Sequence, residues 1–175
     1  MMNVFGFEGS IKSVDLFMEN IQDWSQKHQV CLQVVDANLV FDATHLISAG
    51  MHAIRAYHEQ RMATNSLAME VLLYAAGERQ ITLAIQKCGV TLDTKSIAVI
   101  CICKEDISEA KGKIQEEEIL EFFHDFGFTR NDDVLKGSEE TLIQFGLSSE
   151  EIQTVSKAKY GQLILEKVAR VDILK

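Results

Sequence analysis

Asn65-Ser-Leu-Ala-Met-Glu-Val-Leu-Leu-Tyr-Ala-Ala-Gly-Glu-Arg-Gln-Ile81 is the stretch from which the rest of this chain is read. Residues 66–76 predict a short helix that is apolar nearly all round, and such a helix is covered on most sides. Asn65 is placed to cap its start. Gly77 is placed to end it, as a C′ glycine does. A second helix begins almost at once. Its apolar positions Ile81, Ala84, Ile85 and Cys88 fall at i, i+3, i+4 and i+7, and Gly89 closes it.

The polar residues of this stretch are its exceptions. Glu70 lies inside the apolar helix, and a buried carboxylate must be paired or hydrogen-bonded. Arg79, Arg61 or a neighbouring backbone donor can meet it. A structural clip and a ligand contact both stay open. Tyr74 joins an apolar body to a polar tip and suits the edge of a pocket. At residues 77–80 the backbone N–H groups of the second helix face outward, which suits an anion or a polar ligand. Arg79 and Gln80 add side-chain donors. A helix–helix corner held by its own hydrogen bonds is the plainer alternative.

Upstream, residues 4–7 read as a short strand, Val14, Phe17, Ile21 and Trp24 as a helical stripe, and residues 30–35 as a β-branched strand. Asp42 can cap the next helix, whose expected apolar face is Leu46, Ala49, Gly50, Ala53 and Tyr57. Downstream, residues 97–103 are apolar without alternation, as in a central strand covered on both faces. The last third reads as helices. Asp106 with Glu109 and Ser148 with Glu151 have capping-box spacing. Ile119, Phe122, Phe123 and Phe126 form a stripe stopped by Gly127, and Ser138 and Gly146 bracket a short helix. Tyr160, Leu163, Ile164, Lys167, Val168 and Val171 share one face of a terminal helix. The expectation is one α/β (α+β) domain over residues 1–175, a small mixed sheet packed by about seven helices.

Composition agrees with an ordinary globular domain, at 47% apolar and 25% charged residues. No apolar run reaches the ~20 residues of a membrane span, and no signal peptide is read at the N-terminus, so cytoplasmic residence is expected. The net charge of −9 argues against a general nucleic-acid binder. Its distribution is uneven: residues 105–153 carry −10, whereas 43–104 carry +2 and 154–175 carry +3. Anionic partners are therefore to be met by the middle or the end of the chain. Cys31, Cys88, Cys101 and Cys103 fit no zinc template and read as free thiols of a reducing compartment. His45, His52 and His58 lack the i, i+4 spacing of a helical metal pair. No nucleophile elbow, P-loop or dinucleotide fingerprint occurs. The expectation is a binding protein with no catalytic residue, cofactor, metal or membrane partner.

The order Asn65, Glu70, Leu72-Leu73-Tyr74-Ala75, Gly77, Arg79-Gln80-Ile81, Ala84-Ile85 and Gly89-Val90 resembles the signature of the small kinase-binding subunit of the KEOPS complex, the PRPK-binding protein family. Phe41, His45-Leu46 and Ala49 upstream, and Leu165-Glu166-Lys167-Val168-Ala169 downstream, also resemble family segments. Ser66 departs from archaeal relatives, which often carry proline after the asparagine; serine serves nearly as well at that position.

The resemblance implies a non-catalytic subunit. KEOPS transfers a threonylcarbamoyl group to an adenosine beside the anticodon of certain tRNAs. Another subunit performs the transfer, and a kinase-like ATPase supports it. The subunit resembled here binds that ATPase, meets other KEOPS subunits indirectly, and in archaeal members holds the tRNA 3′ CCA end. Unstacked bases and phosphates are met by aromatic faces, basic side chains and backbone donors. Arg55, Arg61, Asn65, Tyr74, Arg79, Gln80 and Lys87 are the expected RNA-facing residues. His45, Glu70 and Gly77 are expected to shape the pocket, and Ile164, Val168 and Val171 to meet a protein partner. The alternative is a protein-interaction regulator of the ATPase without its own RNA binding. A ligand-binding regulatory enzyme domain at residues 77–80 is a third.

Overall fold

The computed structural model describes residues 2–107 and 114–174 of the chain. Four strands form its sheet: β1 (Met2–Glu8), β2 (Val30–Asp36), β3 (Ser96–Cys103) and the two-residue β4 (Thr129–Arg130). Their order is β2-β3-β1-β4, and every pairing is antiparallel. The sheet is therefore not mixed. The unbroken apolar run of β3 reports that both faces of the strand are covered, and that is independent of strand direction.

Alternation within β3 divides the core in two. Ile97, Val99 and Cys101 join Phe5, Phe7, Leu32 and Val34 on one face. There α1 (Val14–His28) contributes Phe17 and Ile21, and α5 (Glu116–Asp125) contributes Ile119 and Phe123. Ala98, Ile100 and Ile102 face the other way, toward α2 (Ala43–His58), α3 (Leu67–Ala76), α4 (Ile81–Cys88) and, farther along the chain, α6 (Glu139–Phe145), α7 (Ser149–Gln153) and α8 (Tyr160–Leu174). Gly50 lets α2 approach the sheet. A Cβ there would lie 2.8 Å from Met2 Sδ and 2.9 Å from Ile100 Cδ1.

Most local signals act as the residue types demand. The Asp42 carboxylate accepts the His45 N–H at 2.9 Å. Gly77 closes α3 at φ 65°, a conformation that costs glycine nothing. Ser148 and Glu151 form the reciprocal capping box, at 3.2 and 2.9 Å. The other expected box does not test the same way, because Glu109 lies outside the described residues; Asp106 itself accepts the Cys103 N–H at 3.1 Å.

Three expected faces are corrected. Tyr57 is exposed, and Ala56 takes its place in the core of α2. On α4 only Ala84 and Cys88 are buried, whereas Ile81 and Ile85 are exposed, because α4 lies at the margin of the helical layer and is covered on one side only. The cap of α3 is Ser66, not Asn65, which is exposed.

Candidate functional site

Residues 65–81 sit at the centre of the helical layer, and α3 is buried from Glu70 through Ala76. Glu70 is wholly buried, and it reaches back to the loop before α3. Its Oε2 accepts the N–H groups of Ala63 and Thr64, each at 3.1 Å, and Thr64 Oγ1 lies 3.1 Å away. Backbone donors, one of the kinds of partner considered for this carboxylate, meet it here, and the residue clips the α2–α3 connection to the helix.

His45 holds the other end. Nε2 lies 2.9 Å from the Ala75 carbonyl and Nδ1 lies 3.3 Å from the Phe41 N–H. The carbonyl needs a donor and the N–H an acceptor, so the proton sits on Nε2 and the ring is neutral. Burial pushes its pKa down from 6.5 to about 4, against the Ala75 bond and the Asp42 charge, which raise it. His45 and Glu70 are thus scaffold for α3.

The expected RNA-facing residues are not brought to one place. Arg79 and Gln80 are exposed at the turn into α4. Arg79 has no ion pair among the described residues, and Gln80 makes no side-chain capping bond. Beside them Ile81, Leu83 and Ile85 are exposed. Lys87, at the far end of α4, is held by Glu78 at 3.4 Å and lies 3.9 Å over the Phe145 ring.

Arg55, Arg61 and Tyr74 form a separate cluster, closed by Asp172 of α8. The Tyr74 hydroxyl donates to Asp172 Oδ1, and Arg61 Nη1 lies 3.0 Å from the same oxygen. His52 Nδ1 at 2.7 Å and Arg55 Nη2 at 2.6 Å meet Oδ2. Glu59 pairs with the Nε of Arg61. Burial raises the Asp172 pKa, but the bonds from Tyr74, His52, Arg61 and Arg55 outweigh it and hold the carboxyl well below the usual range. Burial, and next Asp172, raise that of Tyr74. The Tyr74 ring is wholly buried and stacks on His52 at 5.2 Å between centroids, so it offers no open face to a base. Sequence reading missed His52 and Asp172. Asp172 lies 98 to 120 residues from these partners, and no local pattern links them; the i, i+3 pair His52 and Arg55 on one helix was the available hint.

Ile164, Val168 and Val171 are wholly buried in the core with α2 and α3. They are not a surface stripe, and a partner would meet other residues. The exposed large apolar groups of α2 and α8 are Met51, Tyr57 and Ile173.

A cavity of about 940 Å³ lies elsewhere, along β2 between α1 and the start of α3. Met18, Gln22, Gln33, Leu67, Met69 and Ile107 are among its lining residues, and none of the described lining residues is Lys or Arg. Burial pushes the thiols of Cys31 and Cys88 up to about 12, away from the thiolate a nucleophile needs. Among the described residues no cluster of three His, Cys, Asp or Glu is arranged to hold a metal, and no helix is long and apolar enough to cross a membrane.

The arrangement is thus a scaffolded helix pair bearing an exposed cationic and apolar corner. A family model described as kinase binding protein CGI-121 matches residues 14–136. The chain belongs to this family. The match spans β2, β3 and α1 through α5, and it includes the whole of residues 65–81. It stops before α6, so Asp172 and the terminal helix lie beyond it. The CGI-121 proteins are a non-catalytic, kinase-binding family. The comparison with curated proteins returned no match.

Proposed function

We propose that this CGI-121 family chain is the KEOPS subunit that binds the complex's kinase-like ATPase and presents a surface to the tRNA 3′ CCA end. Family membership supports the kinase half. The tRNA half rests on one observation: Arg79 and Gln80 stand exposed beside uncovered Ile81 and Ile85. A splayed 3′ end offers phosphates to a guanidinium, base edges to an amide, and base faces to apolar side chains. Asn65 and Lys87 belong to the same proposal as flanking contacts.

The kinase-facing surface is proposed at Met51, Tyr57 and Ile173, where α2 and α8 leave apolar groups uncovered. Met51→Glu should abolish retention of the kinase in a pull-down while the chain stays folded.

Mobility shifts with intact and CCA-trimmed tRNA at two salt concentrations test the RNA half. Binding should fall with salt and be lost on trimming; equal binding to both tRNAs would sink it. The second reading, a protein-interaction regulator without RNA binding, is favoured by the engagement of Arg55 and Arg61 with Asp172. Kinase retention with no tRNA shift at either salt would select it.

A further inference from the structure

Four donors from α2, α3 and the loop between them converge on the Asp172 carboxylate: Tyr74 Oη, Arg61 Nη1, His52 Nδ1 and Arg55 Nη2. We infer that they form a phosphate-binding site, which the chain's own Asp172 occupies and from which a phosphate group must displace it.

The donors sit on elements fixed by the core. The Tyr74 ring is wholly buried, and Arg55 and His52 lie one turn apart on α2. Asp172 comes from the last turn of α8, and the last turn of a helix is where fraying occurs. The four donors fill the roughly four lone-pair positions of the two carboxylate oxygens, and two of them also conflict with each other. His52 Nδ1 lies 2.7 Å from Asp172 Oδ2 and 2.6 Å from Arg55 Nη2. One ring nitrogen cannot both donate to the carboxylate and accept from the guanidinium. A tetrahedral phosphate spreads its oxygens and relieves that crowding.

Charge points the same way. Two guanidiniums face Asp172, and Glu59, half exposed, pairs with the Nε of Arg61. Arg55 is 49% exposed and Arg61 36%, so a ligand can reach them from solvent. The chemistry recognised is a phosphate, whether in an RNA backbone or free. Its RNA form rests on the tRNA reading above; the site itself does not.

The test compares wild type with Asp172→Asn. Thermal unfolding is followed in inorganic phosphate and in chloride at equal ionic strength, and affinity is measured for a single-stranded RNA ending in CCA. Displacing a resident group lowers apparent affinity by the fraction of molecules in which it has left. Asp172→Asn should therefore bind phosphate about tenfold more tightly, as expected for loss of a charge-assisted competitor. Phosphate should raise its melting temperature more than that of wild type, and adding Arg55→Ala should remove the gain. A folded Asp172→Asn that ignores phosphate overturns the proposal. So does an equal gain from Glu166→Gln on the exposed face of α8, which would reduce the effect to net charge. Should Asp172→Asn fail to fold, Asp172→Ser removes the same carboxylate and leaves all four donors in place; it should show the same gain, and no gain overturns the site. Phosphate stabilisation with unchanged RNA affinity supports the site with free phosphate as its ligand, while the tRNA reading, which rests on Arg79 and Gln80, stands or falls on the CCA-trimming experiment.

Discussion

Two corners of the helical layer carry arginines that the sequence groups into one RNA-facing surface, and the structure treats them oppositely. At the α3–α4 turn, Arg79 is exposed with no ion pair among the described residues. At the α2–α8 corner, Arg55 and Arg61 are tied to Asp172. The residue type is the same. What differs is the partner, and the partner arrives from a helix about a hundred residues away. A guanidinium at the first corner needs only a ligand, whereas at the second it must first give one up. Counting arginines in a sequence therefore measures potential for anion binding, and tertiary contacts decide how much of it is free.

Tyr74→Ala should break the α2–α8 corner most. It removes a fully buried ring and one of the donors to Asp172. The expected loss is about 3–5 kcal/mol, read from the urea midpoint.

Acid should weaken the scaffold under both corners. The folded His45 has a pKa near 4, whereas the unfolded ring has 6.5. Between those values the unfolded chain takes up a proton that the folded chain refuses. Stability is full above pH 6.5, declines as pH falls, and stops declining from this source near pH 4. The ceiling is on the order of 3 kcal/mol. His45→Gln should flatten that slope in urea titrations run across the interval; an unchanged slope would assign it to other groups.

Arg61→Ala removes the partly exposed ion pairs with Glu59 and Asp172 and should lower the melting temperature only slightly, measured by thermal unfolding. Arg79→Ala sharpens the contrast at the small end. With no ion pair to lose among the described residues, it should alter stability by less than about 0.5 kcal/mol yet weaken tRNA binding at low salt. A large stability loss from Arg79→Ala would mean that the two corners are alike.

Much of the fold was legible. Val14, Phe17, Ile21 and Trp24 marked α1, and Asp42, Gly77 and Ser148 acted at helix ends as their chemistry requires. Residues 97–103 correctly read as a central strand. Strand direction was not legible, because two-sided burial looks alike in parallel and antiparallel sheets. The α4 stripe was half misread: periodicity places Ile81 and Ile85 near Ala84 and Cys88, but it does not tell how wide the covering layer is. The terminal stripe was read as an interface because an apolar face is the same whether its own core or a partner covers it. Glu70 was legible as a buried carboxylate in need of donors, with a neighbouring backbone donor among the candidates, although which of them it meets was not.

By itself, the sequence determined the elements, their ends, the apolar identity of α3 and the resemblance that the CGI-121 family match bears out. These follow from short-range rules: side-chain periodicity, caps and the left-handed freedom of glycine act within a few residues. Tertiary structure alone decided that the sheet is antiparallel, that Ile164, Val168 and Val171 are core, that Tyr74 is buried, and that Asp172 holds Arg55 and Arg61 while Arg79 stays exposed. Those outcomes depend on which distant element comes to rest against a given face, and no local spacing along the chain encodes that.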